Sequence, residues 1–264
     1  MWLYNLNRYI LKVKKIIVSQ PVPGKTESSP YTELADKYQL QVDFIPFIRI
    51  EGVTAREFRQ YRVEILAHGA VFLTSKTAVD HYFRICDEMR ISVPDSMKYF
   101  CISESIANYL QKYIVYRKRK IFFGTKVDEL LEMMYKHREE KIFLPLSDPH
   151  KPEIPKLLDK KKYKYTKVIL YRTVSSDLSD VNIQDYDMLA FYSPTEIRSL
   201  FTNFPEYEQG EVRIACFGPA TIKAAKAAHL RVDIQAPRPH VPSLTMAIEQ
   251  HLKDLAKKEM LNGK

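Results

Sequence analysis

The chain has 264 residues, of which 45% are hydrophobic and 28% are charged, and its formal net charge is +9 at pH 7. This composition argues against intrinsic disorder, and the length predicts two folded domains. No window reaches the roughly eighteen consecutive apolar residues of a membrane-spanning helix, so we expect no membrane-spanning segment.

Residues 1–14 have neither a continuous apolar segment nor a small-residue cleavage site, so we interpret them as an N-terminal extension and not as a signal peptide. The three cysteines, Cys86, Cys101 and Cys216, are embedded in apolar patterns. They predict buried free thiols in a reducing compartment, the cytoplasm. The histidines show no metal-ligand spacing, which predicts that there is no metal site.

Strand and helix patterns then alternate along the first half of the chain. The extended run at 41–50 contains Pro46, which cannot donate a ladder hydrogen bond and therefore predicts an edge strand or a connector. Alternation at this spacing is typical of parallel sheets with helices on both faces. Strands are predicted at 15–19, 69–75, 98–103, 120–123 and 141–146, and helices at 26–38, 54–67, 76–88, 104–112 and 126–136.

Two segments of the second half share one pattern. Each apolar run of strand length, 188–192 and 212–217, ends in small or hydroxylated residues, and an amphipathic helix begins at once. Ser193 and Thr221 stand where a hydroxyl satisfies first-turn N–H groups. Helix N-termini are therefore expected at the carboxyl ends of the strands, where open α/β sheets bind ligands and where N–H groups favour anions.

An internal similarity links the two halves of the sequence. FLTSKTAVDHYF at 72–83 resembles FYSPTEIRSLF at 191–201, and CISESIANYL at 101–110 stands where CFGPATIKAA at 216–225 stands. We interpret this as two similar α/β domains.

The positive charge leaves nucleic acid, an acidic membrane surface or a polyanionic small molecule open as partner. The basic runs at 117–120 and 156–167 lack an aromatic row or a known nucleic-acid motif, which favours solvated faces. Only seven glycines occur, without G-x-G-x-x-G or a P-loop, which argues against a nucleotide or flavin cofactor. A non-enzymatic two-domain ligand-binding or regulatory protein stays open as an alternative, because such folds host many functions.

Six motifs, in this order and spacing, resemble the uroporphyrinogen-III synthase family in the form found in Bacteroidetes-like bacteria. They cover roughly residues 15–252 and read SQP at 19–21, FLTSKTAV at 72–79, VILYRT at 168–173, FYSPTEIRSLFTNFP at 191–205, FGPATIKAA at 217–225 and RVDIQAPRPHVPSLTMAIEQHL at 231–252.

The resemblance implies two doubly wound parallel-sheet domains, flavodoxin- or Rossmann-like, joined by two extended connector strands. Domain 1 would combine residues 15–44 and 172–264, and domain 2, residues 50–166, would be inserted. The connectors would lie near 43–50 and 166–173, two runs that look extended but poorly suited to a central strand.

The implied activity is cyclisation of hydroxymethylbilane, a linear tetrapyrrole with eight carboxylates, with inversion of the terminal ring D pyrrole and loss of water. The product would be uroporphyrinogen III, and no cofactor would be needed. The resemblance implies a monomer that binds this small molecule, no nucleic acid and no membrane. The net charge of +9 suits attraction of such a polyanion.

The resemblance also implies roles for individual residues. Tyr171 matches the tyrosine that assists departure of the substrate hydroxyl. The residues expected to bind substrate are Gln20, Ser75, Lys76, Ser103, Ser193, Thr195, Gly218 and Thr221. Many members carry an arginine at the position of Gln20, and Ser103 and Ile106 stand where Gly and Thr are usual.

Overall fold

The computed structural model describes residues 13–24, 29–115, 117, 119–124 and 126–262. The predicted N-terminal extension, residues 1–14, lies outside the described part of the chain except for its last two residues.

Strands and helices alternate through the described residues. The strands are β1 Lys15–Val18, β2 Gln41–Phe44, β3 Ile48–Gly52, β4 Ala70–Leu73, β5 Lys98–Cys101, β6 Ile121–Phe123, β7 Ile142–Asp148, β8 Tyr165–Ser175, β9 Met188–Phe191, β10 Arg213–Phe217 and β11 Val232–Ala236. The helices are α1 Pro30–Tyr38, α2 Ala55–Gln60, α3 Lys76–Glu88, α4 Glu104–Leu110, α5 Val127–Tyr135, α6 Glu153–Lys160, α7 Pro194–Asn203, α8 Pro219–Ala227 and α9 Leu244–Asn262.

The chain divides into two compact units. Unit 1 comprises Met1–Arg49 and Val174–Lys264, and unit 2 comprises Ile50–Thr173. The chain leaves unit 1 within β3 and returns within β8, so both passages are extended strands. The α/β class with doubly wound, mainly parallel sheets, expected from the sequence, is confirmed.

The two sheets share one strand order. Unit 1 has the order β11-β10-β9-β1-β2, and the sheet of unit 2 has β6-β5-β4-β7-β8 followed by β3 at its edge. If unit 1 is counted from β9, both sheets have the doubly wound order 3-2-1-4-5. The units are therefore circular permutations of one topology, in which β9-α7-β10-α8 corresponds to β4-α3-β5-α4. The sequence similarity noted above falls on these corresponding segments.

Helices cover both faces of each sheet. In β1, Ile16 and Val18 pack with α1 and α9, whereas Ile17 packs with α7 and α8 on the other face. In β4, Val71 packs with α3 and α4, and Phe72 packs with α5 and α6. Each large apolar side chain buried in this way contributes roughly 1.5–3 kcal/mol. The carboxyl edge of each sheet is left for turns and helix N-termini.

Three local predictions from the sequence have different outcomes. The run at 41–50 forms two strands, β2 and β3, and each lies at the edge of its sheet, as Pro46 indicates. The single helix predicted at 54–67 is wrong in extent, because Arg62 adopts a left-handed φ of 51° and ends α2 early. The expectation that 168–173 does not suit a central strand is wrong, because β8 lies between β3 and β7.

Candidate functional site

In unit 2, Ser75 ends the turn after β4 and begins α3. Its Oγ accepts a hydrogen bond from the Ala78 N–H at 3.0 Å, so it caps the helix. The same Oγ lies 3.1 Å from the hydroxyl of Tyr171, which is on β8. One serine hydroxyl therefore both closes α3 and holds a phenol at the carboxyl edge of the sheet.

The ring of Tyr171 is fixed by its neighbours. It is only 6% exposed and stacks on His81, with centroids 4.9 Å apart and planes 14° from parallel. The His81 Nδ1 faces the Arg84 Nε at 3.0 Å, and Nε–H donates. Burial, and then the charge of Arg84, lower the pKa of His81, which keeps the imidazole neutral and able to accept this bond. The tyrosine is thus held by a stack and by a hydroxyl contact.

The backbone beside Tyr171 is anchored by an ion pair. Arg172 Nη1 lies 2.9 Å from Glu57 Oε1. Glu57 also completes a capping box with Thr54 at the start of α2. Hydrogen bonds from Thr54 and Arg172 lower the pKa of Glu57. The strand that carries Tyr171 is thereby tied to α2.

Lys76 and Ser103 lie at the same sheet edge. The Lys76 ammonium lies 5.5 Å from the centre of the Tyr109 ring, a cation–π distance. Ser103 is the N-cap of α4 and accepts from the Ile106 N–H at 3.4 Å, a long bond. Ser103 therefore caps α4, and the Lys76 ammonium lies beside the Tyr109 ring.

Unit 2 also contains a cluster of hydrogen bonds around the Asp80 carboxylate, which the sequence analysis missed. Asp80 accepts hydrogen bonds from the hydroxyls of Tyr109 at 2.9 Å and Tyr113 at 2.5 Å. Burial alone would raise the pKa of Asp80, but the bonds from Tyr113 and Tyr109 outweigh it and lower the pKa. The partners come from α4 and the turn after it, so no local pattern around Asp80 indicates the cluster.

In unit 1, the turn after β9 is built around a buried glutamate. Glu196 is 3% exposed, and its Oε2 accepts from the Ser19 hydroxyl at 2.6 Å and from the Tyr192 and Ser193 N–H groups at 2.6 and 3.1 Å. Ser193 Oγ in turn accepts from the Glu196 N–H. The sequence carries a signal for this arrangement, Ser193 followed three residues later by Glu196, which is typical of a capping box.

Glu196 lies where the strand order reverses. Ser19 follows β1 and Ser193 follows β9, and these neighbouring strands carry helices on opposite faces. This switch point is the usual ligand crevice of doubly wound sheets. In this protein the Glu196 carboxylate lies at the switch point and accepts hydrogen bonds from groups that follow both β1 and β9. The Thr195 hydroxyl, also expected to bind substrate, accepts from Arg198 at 3.0 Å.

The turn after β10 leaves more groups available. Gly218 has a φ of +87°, which favours glycine, and it is the N-cap of α8 without a side-chain cap bond. A Cβ at Gly218 would meet nothing within 4 Å, so the turn is open. Thr221, in the first turn of α8, is 2% exposed, and no residue in the described ranges hydrogen-bonds to its hydroxyl.

Gln20, the remaining expected residue, is exposed after β1. It lines a cavity of about 350 Å³ at the carboxyl edge of the unit 1 sheet, together with Tyr31, Phe44, Tyr192 and Phe217. The structure thus brings Ser75 and Tyr171 into contact within unit 2. Within unit 1 it places Gln20, Ser193 and Gly218 on successive strand ends of one sheet edge.

Within the described ranges, no group of three or more His, Cys, Asp or Glu side chains is arranged to hold a metal ion. None of the described helices is both long and apolar enough to cross a membrane.

A family model described as uroporphyrinogen-III synthase HemD matches residues 29–246 of this chain. A comparison with curated proteins finds no match.

Several solved structures are similar. Uroporphyrinogen-III synthetase from Helicobacter pylori 26695 has 13% identity and a TM-score of 0.55, over 91% of this chain and 99% of that one. Uroporphyrinogen III synthase from Thermus thermophilus has 16% identity and a TM-score of 0.41, over 90% and 99%. A mutant form of the Thermus thermophilus enzyme has 16% identity and a TM-score of 0.49, over 93% and 100%. At these identities the Helicobacter structure supports the fold alone.

Proposed function

Because this chain belongs to the uroporphyrinogen-III synthase family, it is a cyclising lyase of tetrapyrrole biosynthesis, and we propose how its own residues handle the linear substrate hydroxymethylbilane. Unit 2 supplies a proton donor, Tyr171. Unit 1 supplies backbone and hydroxyl donors for substrate carboxylates. Both sets stand at the carboxyl ends of parallel strands.

Tyr171 assists the departure of the substrate hydroxyl group. As the carbon–oxygen bond breaks, the Tyr171 hydroxyl donates its proton, and the hydroxyl group leaves as water. Its contact with Ser75 at 3.1 Å and its stack on His81 support this role, because both hold the phenol in one orientation before substrate arrives. This oriented hydroxyl is the observation that carries the proposal.

The turn at Gly218 and Thr221 binds carboxylate. The first-turn N–H groups of α8 have no side-chain cap, and the Thr221 hydroxyl has no partner among the described residues. A helix N-terminus of this kind attracts anions through its unpaired N–H groups and its dipole. Gln20, Ser193 and Thr195 lie on neighbouring turns of this edge, and Lys76 and Ser103 extend the donor set in unit 2.

The protein's main task is positioning. The substrate is a flexible polyanion, and ring closure with inversion requires its two ends to meet in one geometry. Interactions made only in that geometry accelerate the inverting route over direct closure. Fixed donors at strand ends suit this requirement, because the sheet holds them in place.

The experiment is a product analysis. Hydroxymethylbilane generated enzymatically is given to the protein, and the product isomers are separated by chromatography. We expect the inverted isomer in excess over the uninverted one that forms spontaneously. Product that is entirely uninverted, formed at the rate seen without protein, would contradict the proposal.

We further propose a cytoplasmic monomer that binds no nucleic acid. The three free cysteines support a reducing compartment; burial raises the pKa of Cys86, Cys101 and Cys216 to about 12, which keeps them as unreactive thiols. Gel filtration tests the oligomeric state. Binding to duplex nucleic acid that weakens steeply with salt would contradict the proposal that the protein binds no nucleic acid.

A further inference from the structure

The cavity of about 350 Å³ in unit 1 is lined largely by rings. Tyr31 and Phe44 meet edge to face with centroids 5.8 Å apart, and Tyr192 and Phe217 lie 5.8 Å apart at an angle of 36°. Four prolines complete much of the wall, and none of the described residues that line it is charged. We call these four rings and the space between them the tyrosine pocket.

Two hydroxyls meet in the tyrosine pocket. Tyr31 and Tyr192 place their phenol oxygens 2.7 Å apart. The pair has two hydroxyl protons, and the bond between them uses one. No other acceptor for either hydroxyl occurs among the described residues. Among the described residues, one O–H proton of the pair therefore has no acceptor.

The pair stays neutral. Burial, followed by the neighbouring Tyr192, raises the pKa of Tyr31, and burial raises the pKa of Tyr192. A neutral O–H donor inside an aromatic wall whose described residues carry no charge suits a flat ring that carries a hydrogen-bond acceptor, and these residues form no ion pair with a cation.

The size and position of the tyrosine pocket restrict the kind of ligand that it can bind. The volume lies at the low end of the roughly 300–1,000 Å³ typical of small-molecule sites, which fits one substituted ring and not a four-ring molecule. The wall also includes Ser29 and Ser243, which cap α1 and α9, so helix N-termini flank the rings. Acidic side chains on the ring would meet N–H groups there.

We propose that the tyrosine pocket binds one pyrrole ring of the substrate, with an acidic side chain of that ring accepting the spare tyrosine proton. This subsite rests on the proposed function, because the pyrrole is part of the tetrapyrrole that the family cyclises. It assigns aromatic contacts to unit 1, in addition to the carboxylate contacts at α8.

A single-ring probe tests the subsite on the full chain. The probe is a monopyrrole with one acetate and one propionate side chain, and binding is followed by nuclear magnetic resonance of the tyrosine ring signals and by calorimetry. Phe217→Leu removes a ring and keeps an apolar side chain, and it should weaken probe binding roughly 5-fold. The double variant Tyr31→Phe/Tyr192→Phe removes both hydroxyls and keeps both rings, and it should weaken binding roughly 5-fold because no O–H donor remains.

The matched control is Phe204→Leu, the same change at a half-buried ring of unit 1 that does not line the pocket. It should bind the probe as the wild type does. An aliphatic dicarboxylate of similar length should bind more weakly than the pyrrole. Equal binding of both probes, no detectable binding to the wild type, or wild-type affinity in both Phe217→Leu and the double variant Tyr31→Phe/Tyr192→Phe would overturn the subsite.

The product analysis separates this proposal from the proposed function. If the wild type makes the inverted isomer and the pocket variants bind the probe normally, the subsite fails and the function stands. If the wild type binds the probe through the pocket but makes no inverted isomer, the function fails, and the tyrosine pocket stands only as a binding site for a single pyrrole.

Discussion

The turn after β4 in unit 2 and the turn after β9 in unit 1 hold equivalent places in one topology, but they engage different groups. Both begin with a serine that caps the following helix, Ser75 and Ser193. Ser75 also contacts the phenol of Tyr171 on β8, two strands away in the sheet. Among the described residues, Ser193 and its buried partner Glu196 bond to backbone and to Ser19. The same local sequence pattern therefore supports the proposed proton donor in one unit and a rigid hydrogen-bonded turn in the other.

The difference shows that a helix cap says little about chemistry by itself. The catalytic role that we propose for the unit 2 turn depends on Tyr171, which lies on β8 and is 96 residues away from Ser75 in the sequence. In unit 1 the available donors lie one turn further on, at Gly218, and in the tyrosine pocket. Five substitutions break or sharpen this comparison.

The largest effect should follow Tyr171→Phe, which removes the donor and keeps the ring stacked on His81. Turnover should fall roughly 10²-fold, the lower end for loss of a positioned acid, because the remaining donors still hold the substrate. The product that forms should still be the inverted isomer. Near wild-type turnover in a folded variant would take Tyr171 out of the mechanism and remove the contrast between the units.

Glu196→Gln probes the scaffold in unit 1. Three donors now meet one oxygen of a charged carboxylate, and a neutral amide oxygen accepts more weakly, so the free energy of unfolding should fall by about 2 kcal/mol. Urea unfolding measures this. The control Glu206→Gln, at an exposed position, should stay within about 0.5 kcal/mol of the wild type. Equal stability of the two variants would show that Glu196 is not an anchor.

Ser75→Ala asks whether its hydroxyl acts through Tyr171. Turnover should fall roughly 10-fold, of the order expected for one lost hydrogen bond to a reacting group, and the loss should be much smaller in a Tyr171→Phe background. The Tyr171→Phe background is itself the control, because an effect that acts through Tyr171 disappears there. If Ser75→Ala loses the same activity in both backgrounds, Ser75 serves only as a cap.

Thr221→Val keeps the shape of the side chain and removes its hydroxyl. We expect a rise in KM of roughly 5-fold from the loss of one hydrogen bond to a carboxylate, with little change in stability. Thr202→Val, on the exposed side of α7, provides the control. A variant that loses stability while its folded fraction keeps the wild-type KM would assign Thr221 to the helix alone.

The smallest effect concerns pH. The pKa of His81 is lowered from 6.5, mainly by burial, so below pH 6.5 the unfolded chain takes up a proton that the folded chain resists. Stability from this residue is therefore present above pH 6.5 and is lost as the pH falls. His81→Phe keeps a ring against Tyr171 and should unfold with a slightly weaker dependence on acid between pH 7 and 5. An unchanged slope would show that His81 does not resist protonation.

Much of the fold follows from local pattern. The helix predicted at 76–88 coincides with α3, because Ser75 marks its start and an apolar face runs its whole length. The run at 41–50 shows where such reasoning ends. Its residues are extended throughout, but nothing local reveals that the strands before and after Pro46 join different sheets, because sheet membership depends on distant partners.

The candidate site likewise has features that the local sequence predicts and features that it does not. Capping positions such as Ser193 are visible in sequence, because the bonds span three residues. The contact between Ser75 and Tyr171 spans 96 residues, and the meeting of Tyr31 and Tyr192 spans 161. No periodicity or motif encodes such pairs, so the tyrosine pocket could not be predicted from the sequence, although Gln20, one of its wall residues, was expected to bind substrate.

The position of β1 has a consequence for synthesis of the chain. β1 lies between β2 and β9, and the Lys14 N–H bonds Asp187, 173 residues later. A ribosome therefore completes the contiguous unit 2, residues 50–173, before the second neighbour of β1 exists. Until then one edge of an apolar strand stays open to pairing with other chains. The two lysines at its start, Lys14 and Lys15, place positive charge where such pairing would begin, and charge at a strand edge disfavours pairing.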